Sequence, residues 1–75
     1  MNAKGRKALE LAISKIEEAR GIIEDLAAVE REKYDNMPDG LQSSEQGERI
    51  ATVADALENA DFDSLVSSLE EARDA

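Results

Sequence analysis

Cysteine, histidine and tryptophan are absent from this 75-residue sequence, which holds one tyrosine and one phenylalanine. Without cysteine no disulfide forms, and without cysteine or histidine the usual ligands of zinc are missing. A nucleophile activated by histidine is excluded for the same reason. Paired acids such as Glu17–Glu18 fall on outward helix faces, where nothing separates their pKa values for acid–base catalysis. We therefore expect no enzyme, no cofactor and no metal site.

Long hydrophobic runs are also absent. The longest apolar pieces resemble residues 26–29, Leu-Ala-Ala-Val, far short of the ~20 residues that a membrane helix needs. The basic start, residues 1–7, is not followed by the apolar segment of a secretory signal. The sequence therefore predicts a soluble, cytoplasmic protein that does not contact a membrane.

The short length predicts a single small helical domain, 1–75, that needs additional support. Below roughly 70–80 residues a core seldom supplies more than ~3–5 kcal/mol, and natural proteins add disulfides, metals or a partner chain. The first two are excluded here, which leaves oligomerisation or unusually regular helix packing, and of these we favour a homodimer.

Apolar residues at helical spacing predict a first arm over about 4–34. They step by three and four residues, and further aliphatic residues widen the stripe to the face of a helix in a bundle. The stripe contains Leu9, Ala12, Ile16, Ala19, Ile23 and Leu26, widened by Ile13, Ile22 and Val29. Gly21 disfavours a helix interior, and with small residues nearby it predicts close approach of another helix.

The only proline lies in the segment that we call the elbow, residues 35–43. Pro38-Asp39-Gly40 is typical of a turn, because proline presets the second position and glycine closes it. Ser43 and Gln46 have the spacing of a capping box, so a second arm is expected over 44–73.

The second arm contains two apolar sets that do not share one stripe. Leu57 is followed by Phe62, five residues later, where a continuous stripe would place an apolar residue at position 60 or 61. Either the helix breaks near 59–61, with Asp61 or Asp63 capping a further segment, or it continues with a rotated face. We favour the break.

The predicted fold is an all-α antiparallel helical hairpin that dimerises into a four-helix bundle. Its core and dimer contacts are expected from the large aliphatic residues of both arms: Leu9, Ile13, Ile16, Ile23, Leu26, Ile50, Leu57, Leu65 and Leu69.

Negative charge is concentrated in one part of the sequence. Residues 1–34 contain seven acids and seven bases, whereas 35–75 contain eleven acids against Arg49 and Arg73, which accounts for the net charge of −9. Such a surface repels nucleic acid and attracts basic proteins, so we expect no direct nucleic-acid binding. The short basic cluster Lys4, Arg6 and Lys7 is typical of a solvated helix start.

The acids of the second arm have two interpretations. They keep a small protein soluble, or they imitate the phosphates of nucleic acid and occupy a basic nucleic-acid-binding protein. The candidate residues of such an acidic face are Asp55, Glu58, Asp61, Asp63, Glu70 and Glu71.

The elbow also has two interpretations. Aromatic and flexible apolar residues are common in binding hot spots, but the same residues suffice to close a helical hairpin. The candidate contact residues are Tyr34, Asp35, Met37, Asp39 and Leu41. A calcium loop is excluded, because aligning Gly40 with the sixth position places Met37 third and Gln46 twelfth.

Residues 32–47 read Glu-Lys-Tyr-Asp-Asn-Met-Pro-Asp-Gly-Leu-Gln-Ser-Ser-Glu-Gln-Gly. This run resembles a signature of short acidic helical proteins that are encoded by phages and prophage-bearing bacterial genomes. The resemblance covers the elbow closely and the arms only in character, because residues 62–68 depart from the Leu-Glu-Glu-Ala-like repeats of those proteins. It implies a phage or mobile-element setting, in the cytoplasm of the host cell.

Two functions follow as expectations. The first is a small acidic protein that inhibits a host or defence protein by protein contact, in the manner of an anti-CRISPR protein that mimics DNA. The alternative is a coiled-coil adaptor for the assembly of a phage or bacterial complex. The first requires the acids for binding, and the second requires the apolar stripe and the elbow.

Overall fold

A computed structural model describes all residues, 1–75, and contains four helices and no strand. The helices are α1 (Ala3–Asp35), α2 (Asp39–Gln42), α3 (Glu45–Glu58) and α4 (Phe62–Asp74). The prediction of an all-α chain is confirmed. None of the helices combines the length and the apolar content that crossing a bilayer requires.

The chain divides into two compact units, which we call the central unit (22–60) and the terminal unit (1–21 with 61–75). In the central unit the second part of α1 pairs with α3 in antiparallel direction, and α2 connects them. In the terminal unit the first part of α1 pairs with α4, also in antiparallel direction.

The long helix α1 begins where Asn2 satisfies a free backbone donor. The Gly5 N–H donates to Asn2 Oδ1 at 2.8 Å, which compensates for the missing intrahelical partner of that amide. At the other end the Asn36 N–H still reaches Glu32 O at 3.0 Å, and the Met37 N–H donates to Tyr34 O at 3.1 Å. The helix ends at Asp35, and Met37 lies outside it, as the conformational restriction on the residue before a proline requires.

The elbow differs from the predicted isolated turn. Pro38 precedes the one-turn helix α2, and its carbonyl oxygen accepts hydrogen bonds from the N–H groups of Leu41 at 2.8 Å and Gln42 at 3.0 Å. Proline is well suited to this place because it has no N–H to leave unpaired.

The cap of α3 is Ser44 and not Ser43, which corrects the predicted capping box by one residue. Ser43 has helical backbone angles at the end of α2, whereas Ser44 is extended, as an N-cap must be. The Ser44 Oγ accepts a hydrogen bond from the Gly47 N–H at 3.2 Å.

The predicted break in the second arm is confirmed. Helix α3 ends at Glu58 and α4 begins at Phe62. Of the two capping candidates it is Asp61 that caps α4, because its Oδ1 accepts a hydrogen bond from the Ser64 N–H at 2.9 Å.

Little apolar surface is fully enclosed. The buried apolar residues are Ala27 and Ala54 in the central unit and Val66 in the terminal unit, and no large side chain is fully buried. Seven of the residues predicted for the core and dimer contacts are half-buried: Leu9, Ile13, Ile16, Ile23, Ile50, Leu57 and Leu69. The other two, Leu26 and Leu65, are 49% and 47% exposed.

Gly21 does not mark a close approach of another helix within this chain. A Cβ atom added there would meet no neighbouring atom within 4 Å. The predicted explanation for this glycine is therefore wrong for the single chain.

Candidate protein interface

Arg31 holds two of the predicted partner-binding acids in the central unit. Its guanidinium donates from Nη2 to Asp55 Oδ1 at 2.5 Å and to Glu58 Oε1 at 2.7 Å, and from Nε to Glu58 Oε2 at 3.2 Å. The same group lies 6.0 Å from the centre of the Tyr34 ring, within the range of a cation–π contact. The forked contact with Glu58 is the geometry that arginine favours with a carboxylate.

The contact between Arg31 and Glu58 changes the pKa values of both groups. The hydrogen bonds that Arg31 donates to Glu58, and then to Asp55, raise the pKa of Arg31 above its ordinary value. The hydrogen bond from Arg31 lowers the pKa of Glu58, against the opposing effect of desolvation. The carboxylates of Asp55 and Glu58 are already paired with a cation, so their charge is partly neutralised within the chain.

Two further predicted acids make internal contacts in the terminal unit. Asp63 Oδ1 lies 2.7 Å from Arg20 Nη1, whose guanidinium lies 6.0 Å from the centre of the Phe62 ring. Asp61 caps α4. The last two members of the predicted acidic face, Glu70 and Glu71, are exposed on α4.

The structure shows one further ionic cluster that the sequence did not indicate. Arg73 Nε donates to Asp74 Oδ1 at 3.0 Å, which raises the pKa of Arg73 and lowers that of Asp74. Arg6 and Glu10 complete an open, shallow depression on the same unit. This cluster could not be predicted from sequence patterns, because 63 residues or more separate its two parts.

The elbow contacts α1 through the Gln42 side chain and α3 through the backbone of α2. The Gln42 side chain donates from Nε2 to Tyr34 O at 2.9 Å, and α2 lies directly over the buried Gly47. A Cβ atom at position 47 would lie 2.5 Å from Gln42 O and closer still to Leu41 O, so only glycine fits.

The predicted elbow contact residues differ in exposure. Tyr34 and Met37 are half-buried, whereas Asp35 and Asp39 are exposed and Leu41 is 52% exposed. Only the latter three present most of their side chain to a partner.

Four aliphatic side chains form an exposed surface on the central unit, which we call the apolar side. They are Ile22, Leu26 and Val29 on α1 and Val53 on α3, exposed by 64%, 49%, 47% and 46% respectively. The three residues of α1 are spaced by four and three positions, so they lie in one row.

Helix geometry places the apolar side opposite the Arg31 cluster. At 3.6 residues per turn, Leu26 is turned about 140° from Arg31 on α1, and Val53 is turned about 160° from Asp55 on α3. Since Arg31 and Asp55 contact each other across one side of the helix pair, the aliphatic residues lie on the other side. The central unit therefore has one ionic side and one apolar side.

Neutral ion pairs border the apolar side. Lys33 Nζ lies 3.0 Å from Glu30 Oε1 on α1, and Arg49 bridges to Glu45 on α3. Together with Arg31 these are the only bases among residues 22–60, which also contain ten acids. Acids also flank the apolar side, because Asp25 and Glu32 lie four and three residues from Val29 on α1.

The terminal unit has a smaller version of the same arrangement. Leu11 and Leu65 are 58% and 47% exposed. Leu65 is turned about 160° from Asp63 along α4, which places it away from the Arg20–Asp63 bridge.

No group of acids in the chain has an arrangement that could hold a metal ion. Comparison with protein-family models, with curated proteins and with solved structures finds no match.

Proposed function

We propose that this chain is a non-catalytic assembly module that binds an amphipathic protein helix through the apolar side of its central unit. The observation that carries the proposal is the contrast in burial within this unit. Four large aliphatic side chains are about half exposed or more, while the pair itself encloses only Ala27 and Ala54 as buried apolar residues. A row of exposed aliphatic side chains such as Ile22, Leu26 and Val29 is typical of a protein-binding site.

The ionic contacts also favour the assembly role over an acidic inhibitor that imitates nucleic acid. Asp55, Glu58 and Asp63 are paired with arginines, and Asp61 caps a helix. An imitation of nucleic acid needs unpaired carboxylates that a basic groove can bind. Four of the six candidate acids would have to give up an internal contact first.

The resemblance at residues 32–47 suggests the setting of this module, a phage or bacterial complex. An assembly role uses the elbow structurally, since Gly47, Gln42 and Ser44 fix the connection between two helices. It requires no chemistry from the exposed acids beyond keeping the protein soluble.

A capture experiment with matched variants tests the proposal. The tagged chain is used to capture proteins from bacterial lysate at about 50 mM and about 500 mM salt, where screening differs strongly. Leu26→Gln is compared with the double variant Glu70→Gln, Glu71→Gln. We expect that Leu26→Gln abolishes the capture of each specific partner, whereas the acid variant and high salt leave it intact. Capture that is lost with the acid variant and with high salt, and kept by Leu26→Gln, would overturn the proposal.

That opposite result would support the second candidate function, an acidic inhibitor of a basic protein. The observation in its favour is the net charge of the central unit, where ten acids stand against three bases. Several of these acids are exposed near the elbow, among them Asp35, Asp39 and Glu48. Binding through them would weaken steeply with salt, because salt screens the attraction between exposed charges of opposite sign.

A further inference from the structure

The elbow contains a pair of residues whose reactive groups are both unpaired. Asp39 and Gly40 begin the one-turn helix α2 and form the only aspartate–glycine step in the sequence. The Asp39 side chain is exposed and has no hydrogen bond or ion pair within the chain. Its carboxyl group is therefore available to a neighbouring nucleophile.

The backbone N–H group of Gly40 is available as well. The N–H groups of Leu41 and Gln42 donate to Pro38 O, whereas the Gly40 N–H lies too early in α2 to have an acceptor within the helix. Gly40 is exposed, and a Cβ atom added there would meet nothing within 4 Å. No neighbouring group therefore crowds this end of α2.

We infer that Asp39 is a site of spontaneous backbone isomerisation, at which an aspartyl linkage is converted to an isoaspartyl linkage. The Gly40 nitrogen attacks Cγ of the protonated Asp39 carboxyl group, and the N–H proton leaves with the carboxyl hydroxyl as one water molecule. The product is a five-membered succinimide ring. This step needs no enzyme, oxidant or cofactor, and it goes beyond the proposed function.

Water opens the succinimide ring in one of two ways. Cleavage of the bond between the nitrogen and Cγ restores the original aspartate. Cleavage of the bond between the nitrogen and the backbone carbonyl carbon of Asp39 leaves the chain running through the side chain, with the former backbone carbonyl carbon as a free carboxyl group.

Hydrogen bonding distinguishes this step from two other aspartates that lie at helix ends. Asp35 is followed by Asn36, whose N–H donates to Glu32 O at 3.0 Å. Asp63 is followed by Ser64, whose N–H donates to Asp61 Oδ1 at 2.9 Å. A nitrogen held in this way must lose its hydrogen bond before it attacks, and both nitrogens also belong to residues with a side chain.

The short length of α2 makes the reactive geometry accessible. Ring closure requires the Asp39 backbone to leave its helical angles, which disrupts only the bonds of this one turn. A single turn fixes many dihedral angles for few hydrogen bonds, so it is marginal by itself. Exposed segments of this kind open locally at a much smaller free-energy cost than global unfolding.

Isomerisation would alter the connection between α1 and α3. The isoaspartyl linkage lengthens the backbone by one carbon atom, directly before the carbonyl groups that lie against Gly47. Because these contacts leave no spare room, α2 would shift away from α3. We therefore expect the aged chain to have a lower midpoint of urea denaturation than the fresh chain.

Ageing the purified chain in water labelled with heavy oxygen tests this inference. Opening of the ring places one labelled oxygen atom in residue 39, whereas a carboxyl group that has not reacted gains none. Digestion with trypsin in ordinary water then releases residues 34–49 as one peptide, which contains both Asp35 and Asp39. We expect tandem mass spectrometry to find at least about tenfold more label at Asp39 than at Asp35, and chromatography to separate the isoaspartyl peptide.

Two variants serve as controls. Gly40→Ala should slow the labelling of residue 39 at least about tenfold, because a methyl group beside the attacking nitrogen hinders ring closure. Asp39→Glu keeps a carboxyl group but requires a less favourable six-membered ring, so it should abolish the label and the loss of stability on ageing. Circular dichroism shows whether each variant is folded.

The inference is overturned if residue 39 gains label more than about tenfold more slowly in the folded chain than in concentrated urea, because the fold would then protect the pair. It is also overturned if Asp35 gains as much label as Asp39, or if Gly40→Ala reacts as fast as the wild type. None of these outcomes bears on the proposed function, since capture through Leu26 is measured with fresh protein.

Discussion

The central and terminal units use different means to hold two helices together. In the central unit the buried residues are the smallest available, Ala27, Ala54 and Gly47. In the terminal unit the buried residue is Val66, accompanied by the half-buried Phe62. The central unit also carries most of the net negative charge, with an excess of seven acids over bases against two in the terminal unit.

This difference indicates which unit tolerates fewer substitutions. Small buried residues let backbones approach closely, and a larger side chain at such a position must displace backbone and not a flexible side chain. In the terminal unit the buried group is the Val66 side chain, and a side chain can repack more readily than backbone can move. We therefore expect the central unit to be the less tolerant of substitution.

Gly47→Ala should produce the largest loss of stability. Its Cβ atom would collide with the carbonyl groups of Gln42 and Leu41, which belong to the backbone of the elbow. We expect the free energy of unfolding to fall by about 2–4 kcal/mol, since relief requires α2 to move away from α3. Urea denaturation followed by circular dichroism measures the change.

Gly40→Ala is the control for this prediction. Gly40 also lies in the elbow region, but a Cβ atom there meets nothing within 4 Å, and no glycine of the chain has a positive φ. Its effect should be within about 1 kcal/mol and of stabilising sign. Equal losses for both variants would show that the elbow is sensitive to any change and that the collision at Gly47 is not the cause.

Gly21→Ala should raise the stability of the chain, by less than Gly47→Ala lowers it. Gly21 lies inside α1, at the edge of the terminal unit, and has open space around its Cβ position. Alanine favours a helix interior over glycine by about 0.5–1 kcal/mol, so the midpoint of urea denaturation should rise. A loss of stability that grows with protein concentration would instead show that a second copy packs closely against this glycine.

The helical pattern made much of the fold predictable from the sequence. The all-α class followed from the three-and-four spacing of apolar residues, and the break near 59–61 followed from the five-residue step between Leu57 and Phe62. Both depend only on local geometry, which a sequence displays directly. The cap at Ser44 was displaced by one residue because two adjacent serines offer the same chemistry, and only backbone angles distinguish them.

The pairing of charges could not be predicted in the same way. Arg31 meets Asp55 and Glu58 across 24 and 27 residues, and their contact depends on the register between two helices. The same register decides which part of the wide apolar face on α1 is covered. The sequence indicated that Leu26 and Ile23 were both interface candidates, but only packing against α3 separates the half-exposed residue from the half-buried one.

The smallest predicted effect is the pH dependence of stability that comes from two carboxyl groups with a lowered pKa, one in each unit. Arg31 lowers the pKa of Glu58 in the central unit, and Arg73 lowers that of Asp74 in the terminal unit. A carboxyl group whose pKa is lower in the folded than in the unfolded state stabilises the fold above its unfolded pKa. That contribution is lost as the pH falls through the folded-state pKa, so both groups add acid sensitivity only below their ordinary values, 4.5 for Glu58 and 3.8 for Asp74.

Glu58→Gln and Asp74→Asn separate these two contributions from the effect of total charge. Acidification also reduces the net charge of −9 and thereby the self-repulsion of the fold, which acts in the stabilising direction. The difference between variant and wild type in the midpoint of urea denaturation removes this effect of net charge, which both proteins share.

We expect Glu58→Gln to lower the midpoint at pH 7 and the difference to shrink as the pH falls below about 4, because the wild type then loses the ionised Glu58 as well. Asp74→Asn should show a smaller difference, since Asp74 pairs with its own neighbour Arg73 near the end of α4 and not with a second helix. A Glu58→Gln difference that stays constant from pH 7 to about pH 3 would mean that the Arg31 contact does not depend on the charge of Glu58.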